Sequence, residues 1–410
     1  MVKYIHAADL HLDSPFKGLK HVPEELFNKI KASTFDSLRQ IIDAAISNSV
    51  DFVLFAGDIY DIEDRSIRAQ VLLKKELERL EEADIKAYLI HGNHDYIASS
   101  ELHLALPENV KVFGPEVDTH IHETSQRERI AISGFSYDRN WIEERKIKDY
   151  PARQSSVDYH IGILHGFLEG QSSEHARYAP FTLTELKEKN YDYWALGHIH
   201  KRQQLSQHPL IYYSGNSQGR HKNEDGEKGC LLVELTKTNE EVTFLPTADI
   251  VWRSITIDAT SHESINAVFE EVKKELKKES LKNSLLDLSL EVSDTLPLSV
   301  MKKLNDEDFY QAFQQIDTSS FVYVVSHKVF LKRDATHSLS LENSFPTAWN
   351  KAAEDLRQDD TFQELTNEFF SMHAYAKYTD ETNKKYRDEI ISAAERLLLQ
   401  DLGDTMTHDN

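Results

Sequence analysis

Five short apolar runs, each ending in a polar cluster, constrain this chain more than any other feature: YIHAAD, FVLFAGD, AYLIHGNHD, IGILHG and YWALGHIH. Each is too short for a helix and bounded by breakers, so each reads as a strand stopping at a turn. Between them PEELFNKIKASTFDSLRQIIDAAI and RSIRAQVLLKKELERLEEA carry apolar residues at helical spacing with charged opposite faces. Strands alternating with helices predict an α/β domain on a largely parallel or mixed sheet. In open sheets of this kind the carboxyl ends of the strands form the ligand crevice, where clusters distant in sequence can meet.

Those clusters are Asp9-Leu10-His11, Gly57-Asp58, Gly92-Asn93-His94-Asp95, His165-Gly166 and Gly197-His198-Ile199-His200. They differ in weight. With 20 histidines in the chain, an Asp-x-His arises by chance about once or twice, and alone it is a helix cap or a surface pair. Asp58 alone caps a helix as readily as it binds anything. Gly-Asn-His-Asp is another matter, expected in only about two chains per thousand. Gly-His-x-His arises in about a few per cent of such chains, and within a strand its two rings would point to one face. A lone strand-end histidine such as His165 is more often a hydrogen-bonded structural residue. Its weight comes from order, since it closes an apolar run between two stronger motifs.

The residue types share one chemistry. Carboxylate and amide oxygens mixed with imidazoles, without a thiolate, suit Mn²⁺, Fe or Zn²⁺ and disfavour a Cys-rich structural zinc site. A carboxylate such as Asp58 can bridge two ions about 3.5 to 4 Å apart, a spacing that clamps both the attacking and the leaving oxygen of a phosphoryl displacement. Asp9, His11, Asp58, Asn93, His165, His198 and His200 together match what two such ions need.

Composition sets the limits. A net charge of −22 argues against a broad DNA-coating surface, so a nucleic-acid substrate would need metal ions or a basic partner to help hold it. The single cysteine, Cys230, rules out an internal disulfide and fits a reducing compartment. MVKYIHAADLH has no signal-peptide pattern and no 18-residue apolar stretch occurs, so a cytoplasmic chain without a membrane span is expected. At 410 residues one large domain with smaller additions is the prior. LIYYSGN, GCLLVELT and EVTFLPT follow one another without helices, as antiparallel strands with room for a second sheet. We place a catalytic domain at 1–247, a small α/β module at 250–335 and a helical segment at 340–410. That last segment carries two apolar stripes, one of Leu365, Phe369 and Met372, the other of Tyr386, Ile390, Ala394 and Leu397. They serve equally as a hairpin packed on its own domain or as a partner-docking face.

At these motifs the sequence resembles the calcineurin-like metallophosphoesterases, whose ordered signature D-x-H, G-D, G-N-H-[DE], H, G-H-x-H is complete over residues 9 to 200. The resemblance implies two mixed β-sheets sandwiched between helices. It also implies Asp9, His11, Asp58 and His200 on one metal, Asp58, Asn93, His165 and His198 on the other, and His94 as an unliganded catalytic histidine. Within that superfamily AADLHLDSPFKGL and YYSGNSQGRHKNEDGEKGCLLVEL look like the SbcD-type DNA repair exonucleases, most closely the YhaO branch. This narrower resemblance implies a capping domain, a helical segment that binds an SbcC-type coiled-coil ATPase, a DNA substrate, Mn²⁺ as the usual ion and homodimerisation through the catalytic domain. Archaeal and eukaryotic repair nucleases carry a histidine three residues after the bridging aspartate. Here Asp61 stands there, as in SbcD-type enzymes and protein phosphatases, and by resemblance its carboxylate would orient His94 and keep it protonated. Arg220 and His221 are candidates to approach a substrate phosphate, and equally a plain surface turn. Two rivals stay open: a phosphatase or cyclic-nucleotide phosphodiesterase on the same site, and an idle subunit that anchors an ATPase.

Overall fold

A computed structural model describes residues 1–16, 19, 22–61, 66–97, 104–170, 178–293, 296–316, 320–332 and 346–358, with isolated positions from 361 to 394. The chain divides into two compact units. The first comprises Met1–Ile255, Glu275–Ser289 and Tyr310–His327, and the second Thr256–Lys274, Leu290–Phe309 and Lys328–Asn410.

The first unit is a sandwich of two six-stranded mixed sheets. One holds β1 (Val2–Ala7), β2 (Phe52–Ala56), β3 (Lys86–Ile90) and β4 (Val110–Val112) in parallel, extended by β11 (Gly229–Leu235) and β12 (Glu240–Pro246) in the order β12-β11-β1-β2-β3-β4. The other runs β5-β6-β7-β8-β10-β9, from β5 (Asp118–Glu123), β6 (Arg129–Gly134), β7 (Tyr159–His165), β8 (Tyr193–Gly197), β9 (Gln203–Gln207) and β10 (Leu210–Tyr213). Only its outer pairs, β5 with β6 and β9 with β10, are antiparallel. The GCLLVELT and EVTFLPT strands therefore extend the first sheet, while LIYYSGN belongs to the second.

In the inner strands β1, β2, β3, β7 and β8 side chains alternate between two faces, and both faces are buried. Val2, Tyr4, Phe52, Leu54, Tyr88 and Ile90 meet Ile130, Ile132, Ile161, Ile163 and Tyr193 between the sheets. The intervening Ile5, Ala7, Val53, Phe55 and Leu89 face the two helices read from the sequence, α1 (Glu24–Ser47) and α2 (Ile67–Glu82), through Leu38, Ile41, Ile42, Leu73, Leu77 and Leu80. This two-sided burial is why the strands read as continuous apolar runs rather than alternating ones. Ser66 starts α2 by accepting a hydrogen bond from the Ala69 amide at 3.0 Å. A short α3 (Leu183–Glu188) opens on a capping box formed by Thr182 and Glu185 and covers the second sheet through Leu186.

A four-stranded sheet of order β13-β14-β16-β15 follows, built from β13 (Val251–Ala259), β14 (Ser284–Ser293), β15 (Gln315–Ile316) and β16 (Phe321–Lys332). Helices α4 (Ile265–Leu276), α5 (Leu298–Leu304) and α6 (Glu307–Gln311) are interspersed, and α7 (Pro346–Leu356) comes after them. Within the second unit Phe269 packs edge-on against Phe309, and Lys332 bonds to Asp258 at 3.2 Å and Glu291 at 3.1 Å. Of the two helical stripes expected past residue 340, Phe369, Met372, Tyr386 and Leu397 lie outside the described residues. Among the described residues no helix is long and apolar enough to cross a membrane.

Candidate metal centre

All five sequence clusters sit at carboxyl ends of parallel strands. Asp9 and His11 follow β1, Asp58 follows β2, Asn93 and His94 follow β3, His165 closes β7, and His198 and His200 follow β8. The loops of the first sheet are laced together by the Asp9 amide to the Gly57 carbonyl and the His11 amide to the Asp58 carbonyl, each 3.0 Å. Two bonds tie the rims across the sandwich: His165 Nδ1 to the Ala56 carbonyl at 3.0 Å, and the His198 amide to Asp9 Oδ1 at 3.0 Å.

These turns are strained. Asp9, His11, Asp58 and His198 all have positive φ, at 53°, 44°, 51° and 100°. Non-glycine residues hold such angles only where their surroundings impose them, commonly at functional sites. Glycine opens the space around them. A Cβ on Gly92 would overlap Asp58 Oδ1 and the His165 ring, and Gly57, at φ 92°, leaves no room for one beside His165.

The converging atoms are mostly acceptors. His165 gives its Nδ1 proton to a carbonyl, so in the neutral ring Nε2 carries a lone pair, and it faces Asn93 Oδ1 at 3.0 Å and Asp58 Oδ2 at 3.4 Å. His198 Nδ1 lies 3.1 Å from that same Asn93 oxygen. On the other side His11 Nε2 faces His200 Nε2 at 3.1 Å, with Asp58 Oδ2 3.8 Å away. Ligand atoms of Asp9, His11 and His200 lie within 4.8 Å of one another, as do those of Asp9, Asp58 and His165. Asp9, His11, Asp58, Asn93 and His165 are all buried. Burial pushes the Asp9 carboxyl above the usual carboxylate range, against the pull of His200 and His165. Burial, with Arg220 and His200 beside it, holds His11 well below the usual imidazole range, neutral and able to ligate. Two buried carboxylates among lone pairs are costly unless a cation joins them. The residues present therefore fit a pair of divalent ions.

The structure modifies several expectations. His198 and His200 do not share a strand face; both lie in the turn beyond β8 and converge because the left-handed angle at His198 redirects the chain. His94 stands exposed at the rim, its amide on Asp58 Oδ1 at 3.0 Å and its Nδ1 on Asp61, but on the backbone carbonyl at 3.0 Å rather than the carboxylate. The Asp61 carboxylate is engaged elsewhere. It pairs with Arg220 Nη1 and lies 3.1 Å from His11 Nδ1, out of hydrogen-bond alignment with that ring. Arg220 thus does reach the site, where it ties down Asp61 and bonds Ser14 Oγ at 3.2 Å, while the exposed His221 lies 3.4 Å from Glu224 and accepts from the Asn223 amide at 3.2 Å.

Two further residues support the site. Asp95, within the Gly-Asn-His-Asp motif, accepts from the Ile59 amide at 2.9 Å and the Gly92 amide at 2.7 Å, pinning the β2 and β3 loops together. Glu224 lies 2.6 Å from His200 Nδ1, and its isolated position in the polar KNEDGEK stretch gave no signal.

Facing mixed sheets with an Asp, Asn and His rim are the frame of a metallophosphoesterase, and residues 2–202 match the calcineurin-like phosphoesterase family, to which the chain belongs. Its relatives include the uncharacterized metallophosphoesterase YhaO of Bacillus subtilis, 38% identical over 405 residues and 97% of each chain. The DNA double-strand break repair protein Mre11 of Sulfolobus acidocaldarius is 24% identical over 82% of this chain and 87% of its own. Its namesake from Methanocaldococcus jannaschii is 24% identical over 66% and 73%.

Proposed function

We propose that the chain is a two-metal phosphodiesterase acting on DNA, an exonuclease of DNA repair that works with an SbcC-type coiled-coil ATPase. The observation that carries the phosphoester chemistry is the meeting of seven ligand side chains from five strand ends around Asp58. DNA as substrate is supported by the likeness to double-strand break repair proteins. With S. acidocaldarius Mre11 it runs over 358 residues, past the catalytic motifs and into modules that a small-molecule hydrolase does not need.

In this reading Asp9, His11, Asp58 and His200 hold one ion and Asp58, Asn93, His165 and His198 the other, with Mn²⁺ the expected metal. Bound there, the ions supply charge neutralisation at the phosphate and acidify an attacking water. His94 handles the leaving group. A carbonyl only accepts, so the bond to the Asp61 carbonyl keeps a proton on His94 Nδ1 and turns Nε2 outward. The doubly protonated ring then gives its Nε2 proton to the departing 3′ or 5′ oxygen. Arg220 and Asp95 hold the loops on which these groups stand.

The test is digestion of end-labelled duplex DNA with Mn²⁺, with and without the ATPase, beside a cyclic nucleotide and a small phosphomonoester. DNA should be degraded from an end. His94→Gln should lower turnover by about 10² to 10⁴-fold with both ions still bound. Hydrolysis confined to the small esters would sink the DNA reading and favour the phosphatase alternative, which the net charge of −22 supports.

A further inference from the structure

We propose that Glu224 is a positioning residue for the metal centre, holding His200 with Nε2 turned toward one ion and so governing the affinity of that ion alone. This rests on the ligand assignment proposed above. Glu224 lies in the turn between β10 and β11, yet it is buried, and both of its oxygens are occupied. Oε1 lies 2.6 Å from His200 Nδ1. Oε2 accepts from Asn216 Nδ2 at 3.0 Å and from the Arg220 amide at 2.7 Å.

A carboxylate that receives three donors stays ionised. An ionised carboxylate only accepts, so His200 keeps its proton on Nδ1 and presents Nε2, 3.1 Å from His11 Nε2. The two ion positions then differ in what stands behind their histidines. His165 leans on the neutral carbonyl of Ala56. His200 leans on a buried charge, which makes its ring the more basic ligand and fixes its orientation. Glu224 also accepts from the Arg220 amide, so the same carboxylate fixes the backbone of the residue whose guanidinium ties down Asp61.

The experiment is calorimetric titration of the metal-stripped full chain with Mn²⁺, comparing parent and Glu224→Gln. Glutamine keeps the shape but sets an NH₂ against donors. The parent should bind two ions, and the variant should bind one of them about 10 to 100-fold more weakly while holding the other within about threefold. Glu227→Gln removes the same charge from an exposed neighbouring position and should change neither affinity. Unchanged affinities in Glu224→Gln, or equal weakening of both ions, would overturn the proposal. Should that variant not fold, ¹⁵N-histidine spectra of the Zn²⁺-loaded parent decide. A proton on His200 Nδ1 is expected, and a proton on Nε2 refutes the role. Fewer than two ions on the parent would instead overturn the ligand assignment itself, and the inference with it.

Discussion

Histidines occupy two kinds of place in this protein, and the difference separates structure from chemistry. Within the strands, His6 lies between Tyr193 Oη at 3.0 Å and the Leu196 carbonyl at 3.2 Å, His122 beside Tyr88 Oη at 3.1 Å, and His160 beside Ser133 Oγ at 2.8 Å. A hydroxyl donates or accepts as required, so a neutral ring is satisfied there. Burial accordingly pulls these rings down to about 3, 4 and 4. At the rim His165 and His200 spend one nitrogen on a carbonyl or a carboxylate and turn the other toward groups that also carry lone pairs. Burial alone does not mark a metal ligand; a surplus of acceptors does.

The contrast breaks most visibly at His165. His165→Ala should lower affinity for at least one ion by more than about 100-fold, since even partners one shell further out are worth 10 to 100-fold. His6→Gln should leave both ions bound. Metal analysis of the dialysed variants checks this, and parental metal content in His165→Ala would erase the distinction.

Glycines sharpen it at smaller scale. Gly92→Ala drives a methyl into Asp58 and His165, and Gly162→Ala, in β7, drives one into the Trp194 ring of β8. Each should cost about 1 to 3 kcal/mol of stability through overpacking. Only Gly92→Ala should also weaken ion binding, and thermal melts alongside Mn²⁺ titrations would reveal a common effect if the two positions were equivalent.

The smallest effect is the pH dependence of His6. Its folded pKa of about 3 lies below the unfolded value of 6.5, so between those limits the unfolded chain binds the extra proton. Stability is then complete above pH 6.5 and falls as pH drops toward 3, by at most about 1.4 kcal/mol per pH unit. Urea midpoints at pH 7, 6 and 5 should fall less steeply in His6→Gln than in the parent, and equal slopes would remove His6 from the account.

Local pattern was enough to place the five clusters, α1 and α2, because each apolar run ends where its strand ends. It did not reveal β5 and β6, where DTHIHE and RIAISG are too mixed in polarity to stand out, nor that β11 and β12 join the first sheet, which only long-range pairing decides. The same limit applies to side-chain aim. The carboxylate of Asp61 turns from His94 to Arg220, 159 positions away, and Glu224 gains meaning only from His200.

The two sheets of the sandwich share no strand, yet each of the two proposed ligand sets draws on both of them. On that assignment metal loading is also a clasp on the sheet-to-sheet packing. A chain whose second sheet has not docked lacks the imidazoles that complete either set, so cation uptake reports assembly of the whole layer pair. By mass action, free metal at about 100 times its dissociation constant would add roughly 2.7 kcal/mol per ion to that closure, which makes the catalytic cargo one of the fasteners of the fold.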